Sequence, residues 1–244
     1  MQLEAATSRL SSALQALGVW PRDPSAQRAL ADSLLRYVAL LVKWNRTYNL
    51  TAVREPEQML VQHVFDCAAI VAPLKELVQE RRALPDADGA RWRIVDVGSG
   101  AGLPGVVLAL LWPEADLVLV EPVAKKAAFL HQVKTELALA NLTIARCRVE
   151  DLPASDVPPD AIVCRAFASL ADYVAALGPL PGPRTVVAAM KAHVDEAEKC
   201  ALTNQWRICR DIPLHVPELG AARRLVVLEH STLIAQKQET HERN

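Results

Sequence analysis

After Arg91 the chain settles into short apolar runs separated by helical stretches. Ile94–Val97, Leu117–Val120, Thr143–Ala145, Ala161–Val163 and Val186–Ala189 are candidate strands, and the helices between them begin near Gly105, Ala124, Ser169 and His193. Continuous apolar runs, without a polar residue at every second place, are what strands covered on both faces require. Parallel neighbours need a crossover between them, and a helix after each strand supplies it. Gln205–Ile212 and Arg223–Glu229 then follow with only the loop 213–222 between them. They are expected to pair antiparallel. The pattern predicts an α/β, Rossmann-like sheet of seven strands whose last pair is antiparallel.

Helical spacing dominates before that point. Leu3, Leu10, Leu14 and Leu17 share one face of a first helix that Gly18 should stop, with Pro21 and Pro24 as punctuation. A long amphipathic helix is expected over 26–44, through Leu30, Leu34, Leu35, Val38, Leu41 and Val42. A third is expected from Pro56, a first-turn proline, to about Arg82, with a loop at Pro85–Gly89. The organisation is thus a helical region at 1–90, a strand–helix domain at 91–235 and a polar tail at 236–244 that should fray.

Composition narrows the chemistry. The 244 residues are 51% hydrophobic and 23% charged, a globular balance. There is no apolar stretch of membrane-spanning length, and Glu4, Arg9 and Gln15 interrupt the apolar pattern at the start, so neither a membrane span nor a signal peptide is expected and the protein should be cytosolic. Cys67, Cys147, Cys164, Cys200 and Cys209 form no CxxC pair and have no histidine at ligand spacing, which argues against zinc or a disulfide framework. No metal is expected. The N-x-Thr matches at Asn45, Asn49 and Asn141 carry no meaning in a cytosolic protein. With a net charge of −1, any nucleic-acid surface must be local.

The sharpest motif runs from Val95 to Gly105: Val95-Asp96-Val97-Gly98-Ser99-Gly100-Ala101-Gly102-Leu103-Pro104-Gly105. A strand ends at Val97, glycines permit a tight turn and close approach of a ligand, and a helix opens near Gly105 with its N–H groups toward that ligand. Gly100-x-Gly102-x-x-Gly105 satisfies the dinucleotide fingerprint, and Glu121 stands about 20 residues on, where an acid holds ribose hydroxyls. A nicotinamide dinucleotide and S-adenosylmethionine therefore compete as cofactors. Asp96 favours the second: an acid at the strand tip suits an ammonium and repels a pyrophosphate. So does the antiparallel end of the sheet.

The loop Gly98-Ser99-Gly100-Ala101-Gly102-Leu103-Pro104-Gly105 also closely resembles that of the bacterial guanine-N7 methyltransferases of small-subunit ribosomal RNA, the RsmG or GidB family. Further matches run in order from about residue 30 to 230. They are Lys43-Trp44-Asn45, Tyr48-Asn49-Leu50-Thr51-Ala52, Glu57–Leu60, His63 with Asp66, Lys125-Lys126, Phe129-Leu130, Arg148-Val149-Glu150, Arg165–Leu170 and Met190-Lys191. The sequence departs from the family's habit at Cys67, Ala192 and Arg224. The resemblance implies a class I methyltransferase sheet with an N-terminal helical region, S-adenosylmethionine as cofactor, and N7 of a guanosine in the 530 loop of 16S rRNA as acceptor. The rRNA or the small ribosomal subunit would be the partner, and a monomer is expected. By position it places cofactor contacts at Gly98, Leu103, Val149, Glu150 and Arg165, to which the strand-tip argument adds Asp96, Gly100 and Glu121.

Other residues keep two readings. Asn45, Asn49 and Thr51 can cap the end of the second helix, or, with Arg46, Tyr48 and Arg54, offer stacking and phosphate contacts. His63 and Asp66 lie one helical turn apart, so a local hydrogen bond and a role in shaping the substrate pocket both stand. Arg165 reads as a surface ion pair on its own and as an active-site residue, the catalytic candidate, with the resemblance. Asn49, Arg54, His63 and Lys191 are the candidate substrate contacts, and Arg46, Lys125 and Lys126 are further candidates for phosphate. Two readings remain beside the main one: a methyltransferase with another acceptor, and an NAD-responsive Rossmann module without chemistry.

Overall fold

The structure is a computed structural model that describes residues 3–81, 91–153, 157–203 and 205–231. Seven strands, β1 (Trp92–Val97), β2 (Ala115–Val120), β3 (Leu142–Ala145), β4 (Ala161–Arg165), β5 (Val186–Lys191), β6 (Trp206–Leu214) and β7 (Arg223–His230), form one sheet in the order β3-β2-β1-β4-β5-β7-β6. All neighbours pair parallel except β7, which runs antiparallel to both β5 and β6. The fold is the one expected, and the strands run a residue or more beyond the expected limits. The loop expected at Pro85–Gly89 and the tail expected at 236–244 lie outside the described residues.

Strand alternation sorts the core into two layers. Ile94, Leu117, Leu119, Val163, Ala188, Leu225 and Val227 belong to one apolar cluster together with α1 (Leu3–Ala16), α2 (Pro24–Tyr48), the helices before β1, α6 (Gly105–Leu111) and α7 (Ala124–Glu136). Val95, Val97, Ile162, Cys164, Val187 and Val226 join a second cluster with Leu170, Tyr173, Val174 and Leu177 of α8 (Leu170–Leu177). The period of two along each strand is what splits neighbouring residues between the two clusters.

Helix ends follow local chemistry. α2 starts two residues before its expected beginning because the Asp23 carboxylate caps it, accepting from Ala26 N–H at 2.7 Å with Pro24 in the first turn. The helix expected near His193 is α9 (Glu196–Cys200), capped by Asp195, whose side chain accepts from Glu198 N–H at 2.7 Å.

The third helix departs from expectation. In place of one element over 56–82 there are α3 (Pro56–Met59), a π-helical turn (Leu60–Phe65), α4 (Asp66–Ala68) and, after a break, α5 (Val71–Arg81). Pro73 explains the break. Its ring would meet the carbonyl of Ala69 in a continuous helix, whereas as the third residue of a new one its missing N–H has no partner to lose. The π turn has a consequence at the functional site.

Leu34 of α2 is fully buried in the first cluster. Leu34→Ala should cost about 2–5 kcal/mol, read as a lower denaturant midpoint with an unchanged slope.

Candidate functional site

The strand order reverses between β1 and β4, so the connections leaving these two strands diverge and open a crevice at their C-terminal ends. The glycine loop spans it. Gly98, Gly100 and Gly102 have φ of 69°, 58° and 86°, the left-handed region that favours glycine. Gly98 and Ser99 donate N–H to the Val120 carbonyl at 2.9 and 3.1 Å, and Gly102 and Leu103 donate to the Ser99 carbonyl at 2.7 and 3.0 Å. A Cβ on Gly102 would lie 2.5 Å from Val106 Cγ2, and one on Gly105 2.6 Å from Leu119 Cδ1, so these two glycines serve packing. A Cβ on Gly100 would meet only the Gly98 carbonyl, at 3.8 Å. A Cβ on Gly98 would meet nothing within 4 Å, so Gly98 and Gly100 are the loop glycines that face open space.

Two acids lie beneath this loop. Asp96 is fully buried; its Oδ2 accepts from Gly105 N–H at 2.9 Å, and its Oδ1 has no partner among the described residues. Glu121, also buried, accepts from Gly100 N–H at Oε2 and from Val123 N–H at Oε1, both at 2.8 Å. The Gly105 N–H expected to point at a ligand is therefore used by Asp96, because a buried carboxylate requires hydrogen bonds. Burial lifts Asp96 to about 7, against the downward pull of the Gly105 N–H and the Arg165 charge.

Arg165, at the end of β4, is held by the π turn. Asp66 N–H donates to the His63 and Val61 carbonyls, which leaves out Gln62, the carbonyl an α-helix would give it. The released Gln62 carbonyl accepts from Arg165 Nη1 at 3.0 Å and from His63 Nδ1 at 2.9 Å. Arg165 Nη1 also lies 3.2 Å from Asp66 Oδ2. His63 Nε2 is 2.8 Å from Thr51 Oγ1, which accepts from Val53 N–H at 3.2 Å. With Nδ1 donating to Gln62, the Thr51 hydroxyl donates to Nε2, a tautomer assigned from the network. Burial first, and the Arg165 charge second, hold His63 down at about 4, so its ring is neutral at neutral pH. There is no His63–Asp66 hydrogen bond: His63 is turned to Thr51 and Asp66 to the arginines.

The remaining candidates are spread more widely. Val149 opens a 3-10 turn (Val149–Asp151) after β3 and packs in the cluster of Val97 and Val120, while Glu150 is exposed. Leu103 is buried in the first cluster, leaving backbone atoms for any contact. Asn49 is the left-handed C-cap of α2 and accepts from Arg54 Nη2 at 3.3 Å, both residues being exposed. Asn45 is buried and ties down the loop that follows, accepting from Thr51 N–H and donating to the Val53 carbonyl. Lys191, at the end of β5, is 2.6 Å from Glu198 Oε1. Arg46 and Lys125 are exposed, Lys126 half-buried.

Residues 30–227 match the family model GidB, described as rRNA small subunit methyltransferase G. The chain belongs to this family. The ribosomal RNA small subunit methyltransferase G of Bordetella avium (strain 197N) is 42% identical over 93% of this chain and 95% of its own length. That of Leptothrix cholodnii (strain ATCC 51168 / LMG 8142 / SP-6) is 45% identical over 89% and 92%. Among solved structures, the magnesium protoporphyrin IX methyltransferase of Synechocystis PCC 6803 aligns with 67% of this chain and 80% of its own at a TM-score of 0.46 and 16% identity, too remote to speak to chemistry.

In this family member the loop has a support that its motif does not reveal. The Tyr37 hydroxyl, fully buried on α2, donates to the Ala101 carbonyl at 2.7 Å. A phenol among Leu34, Val38 and Leu41 is the signal that could have pointed to it. Asp96 generates a pH prediction. Its folded pKa lies above the unfolded value of 3.8, so the folded state binds the extra proton between the two. Stability should fall as pH rises from about 4 to about 7 and then level off, and Asp96→Asn should remove that component. Denaturant melts of both proteins across this range, without cofactor, check it; parallel profiles would mean that Asp96 does not titrate there.

Proposed function

We propose that this protein transfers a methyl group from S-adenosylmethionine to N7 of a guanosine in the 530 loop of 16S rRNA, acting as a cytosolic monomer on the rRNA or the small ribosomal subunit. The observation that carries this reading is membership of the small-subunit rRNA methyltransferase G family across residues 30–227. Local structure supports the cofactor. A buried Asp96 Oδ1 without a partner among the described residues and a second acid at Glu121, both under a glycine loop with open space at Gly98 and Gly100, fit a cationic ligand carrying a ribose. Asp96 also disfavours the pyrophosphate of a dinucleotide, whereas Glu121 would suit the ribose of either cofactor.

Asp96, Gly98, Gly100, Leu103, Glu121, Val149, Glu150 and Arg165 are assigned to the cofactor, and Asn49, Arg54, His63 and Lys191 to the RNA. Residues 1–90 are read as a helical region serving the catalytic domain at 91–235, which their shared apolar cluster supports. When bound, the cofactor supplies an electrophilic methyl group on a sulfonium. Guanine N7 has a lone pair and no proton at neutral pH, so no side chain has to remove one. His63 fits that requirement: it is neutral, and its Nε2 faces the Thr51 hydroxyl. Arg165 is left to orient cofactor and base at the rim of the crevice, and orientation supplies the acceleration.

Unmodified small subunits incubated with the protein and S-adenosylmethionine should gain one 7-methylguanosine in the 530 loop by mass mapping, with NAD silent in calorimetry; a methyl on another base would move the acceptor. Arg165→Ala should lower cofactor affinity and single-turnover rate about tenfold each. With cofactor saturating, so that the bound ammonium keeps Asp96 ionised, the single-turnover rate should be flat from about pH 6.5 to 8.5. A tenfold rise per pH unit would mean an acceptor that must lose a proton.

A further inference from the structure

The cations along the C-terminal edge of the sheet are not equivalent. Lys191 is matched by Glu198, and Arg224 by Asp211. Arg165 and Arg223 share a single carboxylate: Asp66 Oδ2 lies 3.2 Å from Arg165 Nη1, and Asp66 Oδ1 lies 3.1 Å from Arg223 Nε. They meet there because β7 is antiparallel. Its first residues stand where β5 ends, with Lys191 opposite Arg224.

Two guanidinium groups on one carboxylate leave a positive charge uncompensated. His63, Cys67 and Tyr37, the other titratable groups that act on Arg165, are neutral, the last two because burial raises them, and Asp96, which also feels the Arg165 charge, is committed to the cofactor under the function proposed above. An ion pair built for stability alone would be matched one to one, since an unpaired, partly buried charge is costly. The Asp66 side chain is 4% exposed, whereas those of Arg165 and Arg223 are 20% and 23% exposed, so the excess charge reaches solvent on the arginine side. Arg223 Nη1 donates to the Ala222 carbonyl at 2.8 Å, and Nη2 has no partner among the described residues.

We propose that Arg223 is a substrate-binding residue, held by Asp66 so that the open side of its guanidinium takes a backbone phosphate of the rRNA beside the nucleotide that Arg165 addresses. A planar guanidinium matches phosphate oxygens, and one fixed in advance by a buried carboxylate gives up less conformational freedom on binding. The arrangement completes Asp66: two cations face one fixed anion, and the RNA supplies the second. This rests on the rRNA methyltransferase reading.

The test uses the full chain, unmodified small subunits and a range of salt from 50 to about 200 mM. Arg223→Gln should weaken subunit binding about tenfold at low salt, as for loss of a charge-assisted hydrogen bond, and flatten the slope of log affinity against log salt by about 0.7. Cofactor affinity by calorimetry should be unchanged. Arg223→Lys should restore the slope, because the slope counts charge. Arg223→Met, which keeps the aliphatic stem, gives the same reading if the glutamine variant melts early. An unchanged salt slope in the glutamine and methionine variants, or loss of cofactor affinity in step with RNA affinity, overturns the proposal and leaves Arg223 as a support for Arg165. Wild-type protein that binds cofactor but neither binds nor methylates subunits overturns the function instead.

Discussion

The functional end of this molecule depends on two buried carboxylates that hold a loop of glycines. Asp96 fixes the start of α6 through Gly105 N–H, and Glu121 fixes the turn through Gly100 N–H. The loop needs these bonds because glycines alone specify no shape; they only permit one. Three residues in the left-handed region, φ 58–86°, would be loosely defined without acceptors beneath them. One acceptor sits on β1 and the other just past β2, so the register of the sheet, in which Val97 pairs with Val120, sets the shape of the loop. Both acids also make the floor of the crevice negative, which is the sign that an ammonium and a sulfonium need.

A second organising element stands across the crevice. The π turn at Leu60–Phe65 frees one carbonyl and aims it, together with Asp66, at the end of β4. An uninterrupted α-helix would have used the Gln62 carbonyl internally. Extra winding in the helical region thus becomes a fixed position for an arginine on the sheet, and the two parts of the chain meet through polar contacts at the same edge where the loop acids stand. Acid gathers at the ends of β1 and β2, base at the ends of β4 and β5 and the start of β7. The edge is electrically divided in a way that a net charge of −1 conceals.

Much of this was legible in the sequence, for physical reasons. Buried parallel strands must be apolar runs, so Ile94–Val97 and Ala161–Val163 announce themselves, and the missing helix between β6 and β7 exposes the reversed strand. The glycine spacing and the acids at 96 and 121 were equally plain. What those acids bind was not: the direction of the Gly100 and Gly105 N–H groups depends on a folded loop. Helical periodicity cannot distinguish 3.6 residues per turn from a single wider turn, so 56–82 read as one helix and the release of the Gln62 carbonyl was hidden. Pro73 was a visible breaker that the apolar pattern masked. The pairing of Arg165 with Arg223 links residues 58 positions apart in the chain through a third, Asp66, a further 99 positions before Arg165, and no local pattern encodes such a meeting.

The bond from the Tyr37 hydroxyl to the Ala101 carbonyl ties the second helix to the top of the glycine turn. Its meaning is developmental in the life of the chain. Tyr37 is made 64 residues before Ala101, so during synthesis the tyrosine exists well before its acceptor. The turn cannot take its supported form until early and late segments have docked. A chain cut between the two segments would keep the tyrosine and lose its acceptor.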